Sequence, residues 1–208
     1  MEQTQLIVGM LEVNCYLIFS KDSKILYIVD PGGDAELIAE AAAKYNYEKV
    51  VVLLTHAHVD HISGLGVLKD KLEIAEIFLH SDDEKLYNSK NNHLMPYVPL
   101  AENLPQTCNQ FDNLGEISKG DDILVIHTPG HTQGGCCYYF SKINTLFSGD
   151  TLFSSSIGRT DLPGGSHSKL ISSIKTKLFV LKDDVIVKPG HGPESTIGNE
   201  KKYNQYLK

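Results

Sequence analysis

The feature that most constrains this 208-residue chain is the stretch KVVVLLTHAHVDH at residues 49–61, where an apolar run ends in three histidines and an aspartate. A short continuous apolar run is typical of a strand that is covered on both faces of its sheet. Imidazoles and carboxylates gain nothing from packing, and they are costly to bury without partners. His56, His58, Asp60 and His61 therefore indicate a polar site at the end of a buried strand.

The second half of the chain repeats this arrangement, because three further predicted strands end in or near a polar side chain. The segments DILVIHTPGH, TLFSGD and DVIVKPGHG lead to His131, Asp150 and His191 respectively. Loops at one edge of a sheet are where binding and catalytic sites are usually built. We therefore expect these three residues to meet the histidine-rich segment at a common edge.

Strands and helices alternate in a way that predicts an α/β protein. NCYLIF and KILYIVD are typical of a hairpin across the polar turn SKDSK. DPGGD is a turn that leads into the helix AELIAEAAAKY, with Asp34 placed as its N-cap. The strand KVVVLL, the helix GLGVLKDKL and the strand IAEIFLH follow, and this alternation makes part of the sheet parallel.

The remaining segments complete one domain, which we expect to span residues 1–208. Residues 82–118 are polar and broken by prolines, which makes them a candidate lid or substrate loop. CCYYF and TLFSGD predict a second hairpin around SKIN. The amphipathic segment SKLISSIKTKLFVL predicts a helix that packs on the core, and DVIVKPGHG predicts the last strand.

Composition excludes several kinds of partner. The formal net charge of -7 argues against nucleic acid or an anionic membrane as the main partner. No apolar run approaches the length of a membrane span, and the polar start MEQTQ is not typical of a signal peptide. The four cysteines lack the CxxC spacing of a metal or disulfide scaffold. We expect a cytoplasmic protein that acts on a small molecule, with no prediction of its oligomeric state.

The candidate site combines five histidines and two aspartates, and this donor set indicates metal ions. Nitrogen and oxygen ligands without thiolate suit zinc, iron, manganese or cobalt. Seven ligands exceed the needs of one tetrahedral ion, but they suffice for two ions that share an aspartate and leave room for water. Because alternate side chains of an extended segment share a face, we expect His56 and His58 on one ion, and Asp60 and His61 on the other.

The ordered motifs THAHVDH, TPGHT, SGDTLF and PGHG resemble the metal motifs of the metallo-β-lactamase-fold hydrolases. They are most similar to the short bacterial glyoxalase II-like branch, and the likeness runs from NCYLI and VDPGGD to GHGPESTIG. The resemblance implies a four-layer αβ/βα sandwich, in which two mixed β-sheets pack face to face between helices. It also implies that metal ions lie at one edge of the sandwich.

The resemblance further implies ligand sets and a reaction. Seven residues match the family's ligand positions: His56, His58 and His131 for the first ion, Asp60, His61 and His191 for the second, and Asp150 as the bridge. Two divalent ions, expected to be zinc with iron or manganese as alternatives, would activate a shared water and hold the oxyanion. Asp60 is also the candidate catalytic residue that orients the nucleophile or receives its proton. The implied activity is hydrolysis of a thioester such as S-lactoylglutathione.

The substrate loop departs from the glyoxalase II pattern and leaves alternatives open. Arg159 in GRTDLPGG matches the position of a glutathione-contacting lysine, and its guanidinium is the candidate group for binding an anionic thioester. GRTD is also similar to persulfide dioxygenases, which use one iron held by two histidines and one aspartate. The alternatives are therefore a persulfide dioxygenase, a hydrolase of another ester or thioester, and a non-catalytic metal-binding module. Hydrolysis of β-lactams fits poorly, because Asp60 is typical of the glyoxalase-like branch.

Some residues beside the ligands are candidates for supporting roles. Thr55 and Ser148 adjoin ligand positions and could fix the orientation of a ligand. His127 is expected to be a packed strand residue, with support of the metal site as the alternative. His80 ends a predicted strand without ligand-like neighbours, so we expect a structural or surface role.

Overall fold

The computed structural model describes residues 1–93, 98, 101–107, 118 and 120–208. Within these residues the chain forms two five-stranded sheets and a separate two-stranded hairpin. The candidate lid at residues 82–118 lies partly outside the described residues, so it stays a prediction.

The first sheet comes from the N-terminal part of the chain. Its strands, in spatial order, are β1 (Glu2–Val8), β2 (Val13–Phe19), β3 (Ile25–Val29), β4 (Lys49–Leu53) and β5 (Ile74–Phe78). The pairs β1–β2 and β2–β3 are antiparallel, whereas β3–β4 and β4–β5 are parallel. The predicted hairpin and the predicted parallel crossovers are therefore confirmed. The sequence pattern missed β1, an edge strand whose residues are mostly exposed.

Four short helices follow strands of the first sheet. They are α1 (Ala35–Ala42), α2 (Val59–Ile62), α3 (Leu65–Leu68) and α4 (Glu84–Tyr87), the last preceded by a 3-10 turn at Ser81–Asp83. α3 is shorter than the predicted helix GLGVLKDKL. Asp34 is the N-cap residue of α1, as predicted, but its carboxylate makes no capping hydrogen bond and instead accepts one from Gly9 N at 2.8 Å.

The second sheet comes from the C-terminal half. Its spatial order is β12 (Ser195–Thr196), β11 (Ile186–Pro189), β8 (Thr145–Gly149), β7 (Cys136–Phe140) and β6 (Ile123–His127). β11 and β8 are parallel, and the other neighbours are antiparallel. The hairpin of β9 (Leu152–Phe153) and β10 (Ser156–Ile157) lies between β8 and β11 in the chain. DVIVKPGHG is not the last strand, because the two-residue β12 follows it.

Two further helices belong to the second sheet. The amphipathic segment forms α5 (His167–Ser173) and continues as a π-helix at Ile174–Leu178, and α6 (Ile197–Tyr203) follows β12. Leu170, Ile174 and Leu178 are buried against the outer face of the second sheet. The predicted core-packing role of this segment is therefore confirmed.

Alternation along the strands divides the apolar residues into three layers. In β2, Cys15 and Leu17 pack towards the helices of the first sheet, whereas Tyr16 and Ile18 pack towards the second sheet. Residues of both sheets fill the central layer, among them Tyr27, Val51, Tyr138, Phe140 and Phe147. The result is the four-layer arrangement that the resemblance implied, with two mixed sheets between outer helices.

Two smaller expectations concern cysteines and membranes. Cys15, Cys136 and Cys137 are buried and form no disulfide, while Cys108 lies outside the described residues. In the described part of the chain, we find no helix long and apolar enough to cross a bilayer.

Candidate metal centre

Four strand ends bring the predicted ligands to one edge of the sandwich. The loop after β4 and helix α2 carry four of the seven residues, the loop after β6 carries one, and the ends of β8 and β11 carry the others. Helix α2 turns Asp60 and His61 away from the extended alternation of His56 and His58. The structure thus brings together every residue that the sequence singled out as a ligand: His56, His58, Asp60, His61, His131, Asp150 and His191.

The first donor group consists of His56, His58 and His131, whose ligand nitrogens all lie within 4.8 Å of one another. All three residues are buried. His58 Nδ1 and His131 Nε2 approach to 2.8 Å, which is a hydrogen bond when one of the two rings carries the proton. An ion that displaces this proton makes both lone pairs available, since metal binding releases protons from its ligands.

The second donor group consists of Asp60, His61 and His191, whose ligand atoms also lie within 4.8 Å of one another. Asp60 Oδ2 is 3.5 Å from His191 Nε2 and 3.8 Å from His61 Nε2. Two ligands of one tetrahedral zinc ion are roughly 3.4 Å apart, given metal–ligand bonds of about 2.0–2.1 Å. The spacing of the group is therefore close to that of a coordination sphere.

Asp150 lies between the two groups and directs one carboxylate oxygen to each. Its Oδ2 is 3.5 Å from His131 Nε2 of the first group, and its Oδ1 is 3.4 Å from His61 Nε2 of the second. A carboxylate in this position can bind one ion through each oxygen. The arrangement is that of a dinuclear site with a bridging aspartate.

Three atoms at the centre of this cluster, among the described residues, are buried without a hydrogen-bond partner: His56 Nε2, His61 Nε2 and Asp150 Oδ1. Buried polar atoms are nearly always satisfied in folded proteins, because an unsatisfied one costs desolvation free energy without return. These three belong to groups that bind metals and converge on a common space. The residues present therefore fit two metal ions.

Asp30, at the end of β3, is a supporting residue that the sequence analysis missed. Its buried carboxylate accepts hydrogen bonds from Thr55 N at 2.8 Å, from Thr55 Oγ1 at 2.6 Å and from His61 Nδ1 at 2.9 Å. Thr55 Oγ1 in turn lies 3.0 Å from His56 Nδ1. One carboxylate thus orients two ligand rings and leaves their Nε2 atoms free to bind metal. The available signal was an aspartate directly after a buried strand, as at Asp150.

Backbone carbonyls orient two further rings. His131 Nδ1 donates to Arg159 O at 2.7 Å, and His191 Nδ1 donates to Leu11 O at 3.0 Å. Thr55 has the supporting role that the sequence indicated, whereas Ser148 Oγ donates to Leu152 O and supports the turn after β8.

Burial and charge determine which rings carry protons. Burial, followed by the neighbouring His61, lowers the pKa of His56 well below its usual value. Burial and His131 lower the pKa of His58 to about 3. These rings are neutral and can bind a metal. Burial also opposes charge on His61, but Asp150 and Asp60 outweigh it and raise the pKa of His61.

The carboxylate of Asp150 stays ionised. Burial alone would raise its pKa, but the adjacent His61 outweighs burial and holds the pKa well below its usual value. The carboxylates of Asp60 and Asp150 thus favour a positive charge beside His61, and a bound divalent cation would supply it.

Arg159 approaches the site through its backbone and not through its guanidinium. Its carbonyl orients His131, while the guanidinium forms two hydrogen bonds to Asp161 at 2.8 and 2.7 Å. The Arg159 side chain is 58% exposed. Its predicted contact with substrate stays a prediction.

His80 has neighbours that the sequence analysis did not foresee. Ligand atoms of His80, Asp82 and His127 lie within 4.8 Å of one another. However, the two rings stack with their centroids 3.9 Å apart and 12° between their planes. Ring lone pairs lie in the ring plane, so stacked rings direct them side by side and not at a shared ion. His127 Nε2 also lies 3.0 Å from Gln133 O, to which it can donate.

The sandwich and the two donor groups fit a metal-dependent hydrolase whose site has ligands for two ions. The chain belongs to the metallo-beta-lactamase superfamily, whose family model matches residues 8–191.

Three similar proteins illustrate the range of that family. A protein of Haemophilus influenzae named hydroxyacylglutathione hydrolase GloC is 38% identical, with 93% of this chain and 92% of that protein covered. The crystal structure of BLEG-1, named a B3 metallo-beta-lactamase, is 35% identical with a TM-score of 0.77 and covers 99% of both chains. The crystal structure of TTHA1623 in a di-iron-bound form is 30% identical with a TM-score of 0.78, covering 98% of this chain and 100% of that one.

Proposed function

We propose that this protein is a dinuclear thioester hydrolase that acts on an anionic thioester such as S-lactoylglutathione. The observation that carries the proposal is the set of three buried, unpartnered atoms between the two donor groups, His56 Nε2, His61 Nε2 and Asp150 Oδ1. A donor set of this kind can hold two ions with a water between them. The similarity to a hydroxyacylglutathione hydrolase supports the substrate class.

The chain's own residues have separate tasks in this reaction. Two bound ions would supply a water of lowered pKa and a Lewis acid for the carbonyl oxygen. His56, His58 and His131 would hold the first ion, Asp60, His61 and His191 the second, and Asp150 both. We propose zinc at both positions. The di-iron form of TTHA1623 supports iron as an alternative, and the donor types also suit manganese.

Asp60 is suited to manage the proton of the nucleophile. Burial would raise its pKa, but His61 and His191 outweigh burial and lower it, so the carboxylate is ionised at neutral pH. An ionised carboxylate beside the metals can accept a hydrogen bond from the attacking water and orient its lone pair towards the carbonyl carbon.

A cavity beside Asp60 supports a place for the substrate. It has a volume of about 210 Å³, and its lining includes Val8, Met10, Leu11, Val13 and Ser63. We assign the acyl substituent to this mostly apolar space. The thiol carrier would then leave towards the loop of Arg159.

We also propose a cytoplasmic location, because cysteines such as Cys15 remain reduced there.

The persulfide dioxygenase alternative requires one iron and one group of protein ligands. The second donor group is assembled as fully as the first, with all ligand atoms within 4.8 Å, and this supports the hydrolase. The likeness to BLEG-1 makes a β-lactam the competing carbonyl substrate.

The test begins with metal content in protein purified without chelators or added metal. We expect about two ions per chain. Metal-free and reloaded protein would then be compared on S-lactoylglutathione, a simple acyl thioester, a chromogenic cephalosporin and a persulfide with an oxygen electrode. Thioester hydrolysis that returns only with metal supports the proposal. One iron per chain with oxygen consumption, or faster turnover of the cephalosporin, would overturn it.

A further inference from the structure

We infer that Asp83 is a positioning residue for the first metal ion: one buried carboxylate joins the loop of His56 and His58 to the loop of His131. The inference rests on the proposed dinuclear centre and names what sets the geometry of one half of it. Asp83 ends the 3-10 turn before α4 and is 1% exposed.

The contacts of Asp83 reach both ligand loops. Its Oδ2 accepts hydrogen bonds from Ala57 N at 3.0 Å and from Thr132 Oγ1 at 2.8 Å. Its Oδ1 accepts a hydrogen bond from Gly134 N at 2.6 Å. Ala57 separates His56 from His58, and Thr132 directly follows His131. Three hydrogen bonds from two loops converge on this one buried side chain, so Asp83 fixes the two loops relative to each other.

The same segment holds Ala57 from its other side. Asn92 is buried, and its Nδ2 donates to Ala57 O at 2.7 Å. Both polar groups of the residue between His56 and His58 are therefore bound by residues that follow β5. This leaves the loop little freedom to rotate its two ligands.

Gly134 makes the close approach of Asp83 possible. A Cβ atom at position 134 would lie 2.6 Å from Asp83 N and 2.8 Å from both Asp83 Cβ and Cγ. Real Cβ atoms do not come this near, so only glycine admits the carboxylate to the second loop.

The need for such a connection follows from topology. His58 follows a strand of the first sheet and His131 follows a strand of the second, yet their nitrogens are 2.8 Å apart. No local backbone preference determines a distance between loops of different sheets. Among the described residues, the hydrogen bonds of Asp83 do not reach the second donor group, whose rings are oriented by Asp30 and by Leu11 O. Loss of the Asp83 carboxylate should therefore affect the first ion selectively.

The experiment titrates metal-free protein with Co²⁺ and follows visible absorption, with chelator competition to obtain both affinities. Asp83→Asn keeps the shape of the side chain and one acceptor oxygen, and Asp83→Ala removes both oxygens. The matched control is Asp121→Asn, because Asp121 is also fully buried and accepts three side-chain hydrogen bonds far from the metals. Circular dichroism and the Tm of each variant establish that the compared proteins are folded.

We expect Asp83→Asn to lower the affinity for one of the two Co²⁺ ions by about 10-fold or more, as for other residues that orient metal ligands. Asp83→Ala should weaken it further, the other ion should keep its affinity, and Asp121→Asn should bind both ions as wild type does. If Asp83→Asn does not fold, Thr132→Val tests the same contact by removing one donor, with a smaller selective loss expected. Unchanged affinities, or equal loss at both sites, would overturn the inference.

The readout separates this inference from the proposed function. A wild-type protein that binds two Co²⁺ ions but hydrolyses no thioester contradicts the proposed substrate, and the Asp83 variants still decide the positioning role. A wild-type protein that binds one ion contradicts the dinuclear proposal. The role of Asp83 is then decided by whether its variants lower the affinity for that ion.

Discussion

Two buried polar networks lie at opposite ends of the strands, and they differ in whether their polar atoms are satisfied. At the end away from the metals, the Asp121 carboxylate accepts hydrogen bonds from Ser20 Oγ at 2.6 Å, Ser23 Oγ at 2.5 Å and Tyr27 OH at 2.7 Å. The group is 0% exposed and joins the β2–β3 turn to the segment before β6. Its hydrogen-bonding capacity is used within the protein.

At the metal end, the supporting residues also form their full set of hydrogen bonds, but the ligand atoms that they position have no hydrogen-bond partner. Asp30 and Asp83 have three hydrogen bonds each, whereas His56 Nε2, His61 Nε2 and Asp150 Oδ1 have none. A satisfied buried network stabilises the fold. An unsatisfied one, held in place by satisfied neighbours, indicates that a ligand completes it.

The largest effect in this comparison should come from Asp150→Ala. Both donor groups lose a ligand at once, so we expect loss of most bound metal and a fall in the hydrolysis rate of at least about 100-fold, beyond the cost of losing a supporting residue. Metal analysis and steady-state kinetics on the same preparation measure both. A variant that retains two ions and its rate would contradict the bridging role.

The next effect should come from Gly190→Ala, which adds a methyl group and removes no ligand. Its Cβ would lie 2.3 Å from Asp150 Oδ1 and 2.7 Å from His61 Cε1. We expect reduced metal content and a rate lowered by about 10-fold or more, as ligands are displaced. Gly192→Ala is the control, because its Cβ meets nothing within 4 Å although its backbone φ is +74°. Equal loss of metal and rate in the two variants would contradict the clash with the ligands as the cause.

Asp121→Asn should lower the stability of the protein without lowering its metal content or its rate. It leaves a buried hydroxyl without its acceptor, so we expect the free energy of unfolding to fall by about 1–3 kcal/mol. The rate and metal content of the folded fraction should not change. Urea unfolding and kinetics measure the two quantities, and a large loss of metal in the folded protein would show that the two ends are coupled.

The smallest effect is expected from Arg159→Ala. The guanidinium is exposed and hydrogen-bonded to Asp161, and these hydrogen bonds lower the pKa of Asp161 to about 2. We expect KM for an anionic thioester to rise a few-fold with kcat unchanged, since the side chain does not reach the metals. Asp161→Asn is the matched control, because it releases the guanidinium and should lower KM or leave it unchanged. An unaltered KM in Arg159→Ala removes this residue from the substrate site.

The sequence analysis was accurate where local patterns carry the information and inaccurate where they do not. The buried strands and the parallel crossovers follow from apolar runs and helical spacing, and these elements were predicted. β1 was missed because an exposed edge strand has little apolar pattern. Asp34 lies at the predicted N-cap position of α1, but the sequence did not show that its carboxylate would bind Gly9 N, which is 25 residues away in the chain.

The sequence by itself determined which residues could hold metals, since histidines and aspartates placed after apolar strands have few other uses. Only the tertiary structure decided how these residues are held and which atoms remain free. Asp30, Asp83 and the carbonyl of Arg159 form hydrogen bonds with ligands, or with residues of the ligand loops, that lie 26 to 51 residues away in the chain. The stack of His80 and His127 is of the same kind. Such contacts depend on the packing of the two sheets, and local propensity does not encode that packing.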